Sequence, residues 1–537
     1  MCYSLVKARS WAELNFQDLK LGDSRLNVRV RDVAAALAAH PAASIPQACG
    51  TWRRTKGAYR LFDNDALTLE SISTPHWQGT RQEAASCPCV LLIQDTTWID
   101  QRDHPATRGL GHFGRKPGTK NKTSGHGLFL HSTLAVQVLG EGKARILGLA
   151  HAATFVRSEL KKDRGKRRRA PDRESRRWID SLDAIGTPDQ HQAAARERRV
   201  REVFTDPSAM QFTPAENESA FSPIPYTGDG FAATGDGFAA TGEPARPRTR
   251  WIHVGDRESD LFDLLEKAGE KGLGFIIRLK HDRNVLPGHD TPAVQNSHEH
   301  EGTSLKDLCR GMAKIGSRTV SVAAKNGNGR REAVLSVSAG PVTLYSPRTT
   351  RNNRAVKCWV VRAWEENPPE GVEPLEWMIL SSQEARDEKQ TLWVLDCYTL
   401  RWLIEEYHKC LKSGCKVQER QLESKDRLDP LIGMLSIVAV RLLGMKNDAR
   451  LSPDTPAMRC VEPELVRTLA LLIKDPRPQE MSLRRFIHET ARQGGFLGRK
   501  ADGEPGYQTL WRGYHTLTQI HLGRQLQNPT QKDVGKG

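Results

Sequence analysis

Two aspartates follow short apolar segments of the chain. Asp95 comes after the apolar run 89–93, and Asp256 comes after the run 251–255. Short, continuous apolar runs bounded by polar residues are typical of buried strands, so each aspartate is predicted at a strand's carboxyl end. Ligand sites in α/β sheets form just beyond such ends. Two carboxylates there would make an oxygen-rich site suited to Mg²⁺.

A third carboxylate is available on a long helix predicted over 389–412. Positions spaced by three, four, four and three residues share one face of this helix. They are Tyr398, Arg401, Glu405, Lys409 and Lys412. On the opposite side, Trp402, Leu403 and Cys410 are expected to pack.

Two interpretations fit this helix face. In the first, Glu405 binds a metal ion, Arg401 and Lys412 contact phosphates, and Tyr398 donates a hydrogen bond to a phosphate oxygen. In the second, Arg401, Glu405 and Lys409 are an exposed row of ion pairs, which is common on helices. The spacing alone does not decide between them.

The overall charge favours a polyanionic partner. The chain has 537 residues with a formal net charge of +16, and its pI is about 9.4. A protein this basic attracts nucleic acid through salt-dependent counterion release. A generally basic surface without a nucleic-acid role would give the same composition, so the motifs must decide.

The cysteines and the apolar segments indicate the compartment. None of the ten cysteines forms a CxxC pair, so we expect free thiols in a reducing compartment and no zinc site. We also expect no segment long and apolar enough to span a membrane, and no secretory signal. A cytoplasmic protein is the default interpretation.

Three domains are predicted, at 1–75, 76–452 and 453–537. The first and third are helical, and the first includes a basic and aromatic stretch at 52–60. The middle domain is predicted to begin with the strand before Asp95 and a β-hairpin over 128–150. A basic run at 161–169, an amphipathic helix around 173–185 and a disordered loop at about 206–248 with a tandem repeat come next. The strand before Asp256 is followed by a helix at 261–271, a strand at 274–280, a β-rich insertion at about 285–375 and a closing strand at 377–381.

Several ordered blocks of sequence resemble the insertion-sequence-four family of DDE transposases. The spacing Tyr398-x-x-Arg401-x-x-x-Glu405-(x)6-Lys412 is similar to the family's Tyr-Arg-Glu-Lys signature. The segments around Asp95 and Asp256 resemble its first two catalytic blocks. Residues 21–25 and 57–60 resemble the family's DNA-binding domain, and 494–497 with 510–514 resemble its dimerisation region.

The resemblance implies a fold and a reaction. The fold would be α/β, with an RNase H-like catalytic core, a β-rich insertion and flanking helical domains. Two Mg²⁺ ions, replaceable by Mn²⁺, would assist nicking at transposon ends, hairpin formation and opening, and joining of 3′-hydroxyl ends to a target. The partners would be double-stranded DNA, with its end inverted repeats and target site, and a second copy of the chain in a homodimer. The location would be the bacterial cytoplasm, at the nucleoid.

The resemblance also assigns roles residue by residue. Asp95, Asp256 and Glu405 would be the catalytic and metal-binding residues. The residues expected to contact DNA are Tyr398, Arg401, Lys409, Lys412, Trp377, Arg278, Lys280, Arg25, Arg29 and Arg60. Trp377 matches a family tryptophan that stacks on a flipped base.

Two alternatives stay open. One is a metal-dependent nuclease of the same fold that performs no strand transfer. The other is a transposase-derived protein that binds DNA without catalysis, although the presence of all three carboxylates argues against it.

Overall fold

The computed structural model describes residues 8–113, 125–156, 175–192, 249–288, 303–322, 331–346, 354–499 and 502–527. The basic run predicted at 161–169 and the loop predicted at about 206–248 lie outside these residues. Parts of the predicted β-rich insertion are also outside them.

The N-terminal region is helical, as predicted. Its helices are α1 (Ala8–Phe16), α2 (Ser24–Ala39), α3 (Ile45–Cys49), α4 (Trp52–Phe62) and α5 (Leu69–Ala84). Polar side chains cap four of them by accepting a backbone N–H of the first turn, and these caps are Asp23, Ser44, Thr51 and Thr68. The sequence therefore fixes where these helices begin.

One sheet of twelve strands is present in the described part of the chain. The strands are β1 (Cys89–Asp100), β2 (Gly111–Phe113), β3 (Gly125–Gly140), β4 (Lys143–Phe155), β5 (Arg250–Gly255), β6 (Gly274–Arg278), β7 (Asn284–Pro287), β8 (Thr303–Ser304), β9 (Gly316–Val322), β10 (Arg331–Tyr345), β11 (Ala355–Glu365) and β12 (Glu376–Ser381). Their main order is β2-β3-β1-β5-β6-β12-β11-β10-β7-β8, with β4 beside β3 and β9 beside β10.

The centre of the sheet has an RNase H-like arrangement. The strands β4, β3 and β1 pair antiparallel, as the predicted hairpin requires, and β1, β5 and β6 pair parallel. The insertion does not form a separate layer. It lengthens the same sheet, because β12 pairs with both β11 and β6. The predicted α/β fold with a β-rich middle and helical flanks is confirmed.

Helices cover both faces of the sheet. The middle helices are α6 (Arg176–Ile185), α7 (Phe262–Glu270), α8 (Leu305–Gly311), α9 (Glu388–Thr399), α10 (Trp402–Lys409) and α11 (Lys425–Leu451). One face packs against α9, α10, α11 and the N-terminal helices. The other face packs against α6, α7 and α8.

The C-terminal region is also helical. Its helices are α12 (Ala457–Cys460), α13 (Pro463–Leu472), α14 (Leu483–Gln493) and α15 (Tyr507–Gln527). They pack into the same apolar core as α11.

Helix α11 is the element that corrects one expectation about membranes. It is long and apolar enough to cross a bilayer, contrary to the prediction that no segment would be. However, 94% of its most apolar window is buried inside the protein. The apolar side chains of α11 therefore pack in the protein core.

His76 joins the N-terminal helices to the sheet. Its Nε2 accepts the backbone N–H of Leu149 on β4 at 3.0 Å, and its Nδ1 lies 2.6 Å from Asn15 Oδ1 on α1. A neutral ring with its proton on Nδ1 satisfies both contacts. Close packing of α5 on β4 also requires Gly148, because a Cβ there would collide with Thr80.

The neutral state of His76 makes this junction sensitive to acid. Burial lowers the pKa of His76 to about 4, whereas an unfolded histidine titrates near 6.5. The unfolded chain therefore binds more protons between these values, and His76 loses its stabilising effect as the pH falls through this window, by on the order of 3 kcal/mol. We expect the melting-temperature difference between wild type and His76→Leu to be largest at pH 7 and to shrink towards pH 4.5. A difference that is constant over this range would contradict the assignment.

Candidate active site

Asp95 lies inside β1 and not at its end. The parallel pairing of β1 with β5 stops at the pair Ile93 and Val254, but β1 continues to Asp100. The prediction that the strand ends at Asp95 is therefore wrong, because the antiparallel partner β3 supports β1 along this further length. Asp95 lies two residues beyond the last parallel pair.

Asp256 directly follows β5, as predicted. Its Oδ1 accepts the backbone N–H of Glu258 at 2.8 Å, so it caps the short 3₁₀ helix Arg257–Ser259. Gly255 ends the strand, and a Cβ at this position would collide with the Ser259 side chain. This tight strand-to-helix turn orients the Asp256 carboxylate.

Glu405 lies on α10, which packs against β1. The predicted continuous helix over 389–412 is wrong, since α9 ends at Thr399, α10 begins at Trp402, and a π-helical turn follows at Cys410–Gly414. The break and the wider π turn alter the angular spacing of the side chains. The five predicted residues consequently do not form one exposed stripe.

The exposed side of α10 is formed by Trp402 and Lys409. The Trp402 side chain is 49% exposed, and the Lys409 ammonium lies 4.8 Å from the centre of its ring, a cation–π contact. The prediction that Trp402 packs in the core is therefore wrong, because Trp402 lies seven residues before Lys409, a spacing that places both side chains on the same exposed face of α10. Leu403 and Cys410 are buried, as predicted.

The three carboxylates share one electrostatic environment. Burial, reinforced by the negative charges of Asp256 and Glu405, raises the pKa of Asp95 to about 7. The backbone N–H of Thr96, which donates to Asp95 Oδ1 at 2.8 Å, and the charge of Arg401 oppose this rise. The structure therefore brings the predicted residues together, while their catalytic role stays a prediction.

Two cations from the predicted helix face border these carboxylates. Arg401 donates from Nη2 to Glu405 Oε1 at 2.7 Å. Burial lowers the pKa of Lys412, and the charges of Asp95 and Asp100 counteract this effect. Both cations are thus largely withdrawn from solvent and lie on the acidic side of the site.

The carboxylates suit a hard cation but are not grouped as a formed metal site. In the part of the chain that the structure describes, no three His, Cys, Asp or Glu side chains are placed to hold a metal ion. Glu405 is instead paired with Arg401. Carboxylate oxygens are nevertheless the ligands that Mg²⁺ prefers, and a cation would offset both the burial and the repulsion that raise the pKa of Asp95. The requirement for two Mg²⁺ ions, or Mn²⁺ in their place, stays a prediction.

An aromatic and basic cluster lies beside Arg401. Trp377 on β12 meets Tyr398 on α9 edge to face, with ring centres 6.0 Å apart, and the Arg401 guanidinium carbon lies 6.0 Å from the centre of the Tyr398 ring. Burial raises the pKa of Tyr398, and Arg401 and Arg278 oppose the rise. Arg278 also donates to the backbone oxygen of Glu376 at 3.2 Å. The structure therefore assembles Trp377, Tyr398 and Arg278, which are far apart in sequence.

The other predicted DNA contacts lie elsewhere. Lys280 follows β6 with an exposed side chain, and its backbone N–H donates to Asp260. Arg25 and Arg29 are exposed on α2, and Arg60 is exposed on α4. The Arg29 side chain lies against Gly57, so it joins the surfaces of these two helices.

Two residues near the carboxylates were not singled out from the sequence. The His408 Nδ1 lies 3.6 Å from Asp95 Oδ2, and the ring is buried. Arg257 is exposed next to Asp256 and lowers the pKa of Arg278, after burial, which is the larger cause. His408 follows Glu405 by three positions, a helical spacing that could have drawn attention to it.

Comparison with known protein families gives two matches, one near each end of the chain. Residues 8–67 match the family described as transposase DNA-binding, which covers α1 to α4. Residues 437–527 match the transposase Tn5 dimerisation domain, which begins within α11 and ends with α15. The segment between the two matches holds Asp95, Asp256 and Glu405. The chain therefore contains a DNA-binding domain and a dimerisation domain.

The raised pKa of Asp95 predicts that replacing this residue with a neutral one changes the stability of the protein. Its pKa is about 7 in the folded protein and near 3.9 when unfolded, so the folded state binds more protons between these values. Ionised Asp95 therefore costs stability above pH 7, by on the order of 4 kcal/mol. We expect Asp95→Asn to melt at a higher temperature than wild type at pH 8, with the gain disappearing towards pH 4.

Asp100→Asn is the matched control, because Asp100 lies on the same strand and pairs with Arg102 at 2.7 Å. It should show no gain at pH 8. Equal melting temperatures for wild type and Asp95→Asn at pH 8 would mean that burial and the neighbouring negative charges do not destabilise ionised Asp95.

Proposed function

This chain belongs to the Tn5-like transposases of the insertion-sequence-four family, and we propose that it performs cut-and-paste transposition of DNA. In this reaction each end of an element is nicked, the new 3′-hydroxyl attacks the opposite strand to form a hairpin, and the opened end is joined to target DNA. The observation that supports the proposal most is the shared environment of Asp95, Asp256 and Glu405 between the two matched domains.

Asp95, Asp256 and Glu405 would hold the divalent ions. Bound Mg²⁺ would supply activation of the attacking oxygen and neutralisation of charge on the phosphate. Glu405 must exchange its present ion pair for this role, which releases the Arg401 guanidinium. Arg401 could then bind the scissile phosphate in the bidentate manner that guanidinium groups favour.

Other side chains would position the DNA. Lys412, near Asp95, and Arg278, near Tyr398, provide positive charge where the transferred phosphate gains negative charge. Trp377 is half-buried against Tyr398, so it offers a fixed aromatic surface on which a displaced base can stack. This combination favours hairpin chemistry over simple hydrolysis.

The flanking domains would bring two DNA ends together. Arg25, Arg29 and Arg60 lie in the part of the chain that matches the DNA-binding family, where they would contact the inverted repeats. In the matched dimerisation domain, Leu471 is 62% exposed and Leu497 is 64% exposed. These apolar side chains suit contact with a second copy of the chain. We place the reaction in the bacterial cytoplasm, on nucleoid DNA.

One observation favours the non-catalytic alternative. The Arg401–Glu405 ion pair occupies a carboxylate that catalysis would need for metal. A transposase-derived protein that binds DNA ends without cutting them could keep this pair permanently. Cleavage therefore has to be measured directly.

The deciding experiment uses labelled DNA that carries the inverted repeats flanking the coding sequence, incubated with protein and Mg²⁺. We expect wild type to produce hairpinned ends and Glu405→Ala to produce none, because the carboxylate is lost. Trp377→Ala should still nick the DNA but form at least tenfold fewer hairpins, since the stacking surface for the displaced base is removed.

Glu406→Gln is the matched control, because the neighbouring Glu406 carboxylate accepts the Tyr507 hydroxyl and does not adjoin Asp95. It should keep hairpin formation. Nicking by wild type without hairpins would favour a plain nuclease. Binding without any cleavage would favour the non-catalytic DNA-binding protein.

A further inference from the structure

A buried histidine lies across the sheet from the residues that flank Asp95. His131 on β3 is opposite Thr96 on β1 and is almost fully buried. Its Nδ1 lies 2.8 Å from Thr96 Oγ1, and its Nε2 lies 3.1 Å from Gln94 Oε1. Since the Gln94 oxygen accepts a hydrogen bond from Nε2–H, the neutral ring accepts a hydrogen bond from the Thr96 hydroxyl at Nδ1. One imidazole therefore holds both sequence neighbours of Asp95.

These bonds act on the carboxylate through the backbone. Side chains alternate across a strand, so Gln94 and Thr96 point to the face opposite that of Asp95. The backbone N–H of Thr96 donates to Asp95 Oδ1 at 2.8 Å. Fixing the Thr96 hydroxyl on His131 thus fixes the N–H that orients the Asp95 carboxylate. His131 therefore affects Asp95 through the backbone of Thr96 and makes no direct contact with the carboxylate.

Trp178 on α6 extends this arrangement to the second aspartate. Its ring meets His131 edge to face with centres 5.0 Å apart, and meets His253 in the same manner at 6.1 Å. His253 lies on β5, three residues before Asp256. Trp178 also lies directly against Gly255, the residue before Asp256. One tryptophan therefore packs behind both aspartate-bearing strands.

Stability does not explain this choice of residues. Burial, with smaller effects from neighbouring charges, lowers the pKa of His131 to about 3, so the ring stays neutral near pH 7. Gln94 is also completely buried. Replacing both members of a buried hydrogen bond with apolar groups of similar shape is often neutral or stabilising. The hydrogen bonds of His131 to Gln94 and Thr96 instead hold this part of β1 in a single geometry.

We propose that His131, supported by Trp178, is a positioning residue that sets the orientation of the Asp95 carboxylate for metal binding. This inference rests on the proposed function and names residues on the face of the sheet opposite the carboxylates. Residues that orient metal ligands typically change metal affinity or activity by about tenfold to a hundredfold when replaced.

The test compares His131→Leu with His151→Leu in the full-length protein. His151 lies on β4 and is a suitable control, because its Nδ1 lies 3.1 Å from Ser181 Oγ and it has no bond to either neighbour of Asp95.

We measure melting temperature, binding to end DNA in EDTA, the Mg²⁺ concentration for half-maximal cleavage, and Mn²⁺ binding to the protein–DNA complex by electron paramagnetic resonance. His131→Leu should weaken Mn²⁺ binding and raise the half-maximal Mg²⁺ concentration about tenfold or more. Binding of DNA in EDTA should not change.

Two further variants keep the test decisive if His131→Leu folds poorly. His131→Asn retains a polar group near Nδ1 and should restore most of the Mn²⁺ affinity. Thr96→Val breaks the same link from β1, and combining it with His131→Leu should add little to the loss, as expected for residues that act as one unit.

The outcomes separate this inference from the function on which it depends. Wild type that cleaves DNA, with equal metal responses for His131→Leu and His151→Leu, would overturn the positioning role alone. Wild type that binds DNA but neither cleaves it nor binds Mn²⁺ would overturn the proposed function and the positioning role together.

Discussion

The parallel pairing of β1 with β5 is the constraint on which the candidate site depends. Five residue pairs, from Cys89 with Arg250 to Ile93 with Val254, place the two strands side by side just before Asp95 and Asp256. Carboxylates that repel one another in a buried setting would separate if they were free to move. They stay together because the strands that carry them are fixed in an apolar core. The fold therefore holds Asp95 and Asp256 close together despite their mutual repulsion, which a bound cation would reduce.

The two faces of the sheet have different tasks. The face that carries Asp95 packs against α10, so Glu405, Arg401 and His408 approach the strands from that side. The opposite face holds His131 and its partners beneath α6. The β-rich insertion continues the sheet from β6, and this continuity carries Trp377 to Tyr398.

The C-terminal helices are physically joined to the site. The Tyr507 hydroxyl on α15 donates to Glu406 at 3.0 Å, directly next to Glu405. The Lys446 ammonium on α11 lies 4.0 Å from the centre of the Tyr507 ring, and burial is the main cause that lowers the pKa of Lys446 to about 8. Because α15 belongs to the segment that matches the dimerisation domain, this segment and the helix that carries Glu405 contact each other within the chain.

The sequence by itself determined the strands, most of the helices and the acidic residues of the site. Continuous apolar runs before Asp95 and Asp256 are typical of buried central strands, and capping residues fix the helix starts. Tertiary packing decided the rest. The break after Thr399 and the π turn at Cys410–Gly414 interrupt the continuous helix that the sequence predicts over 389–412. Likewise, only the register of β3 places His131 behind Asp95, because local periodicity defines the face of a side chain but not its partner on another strand.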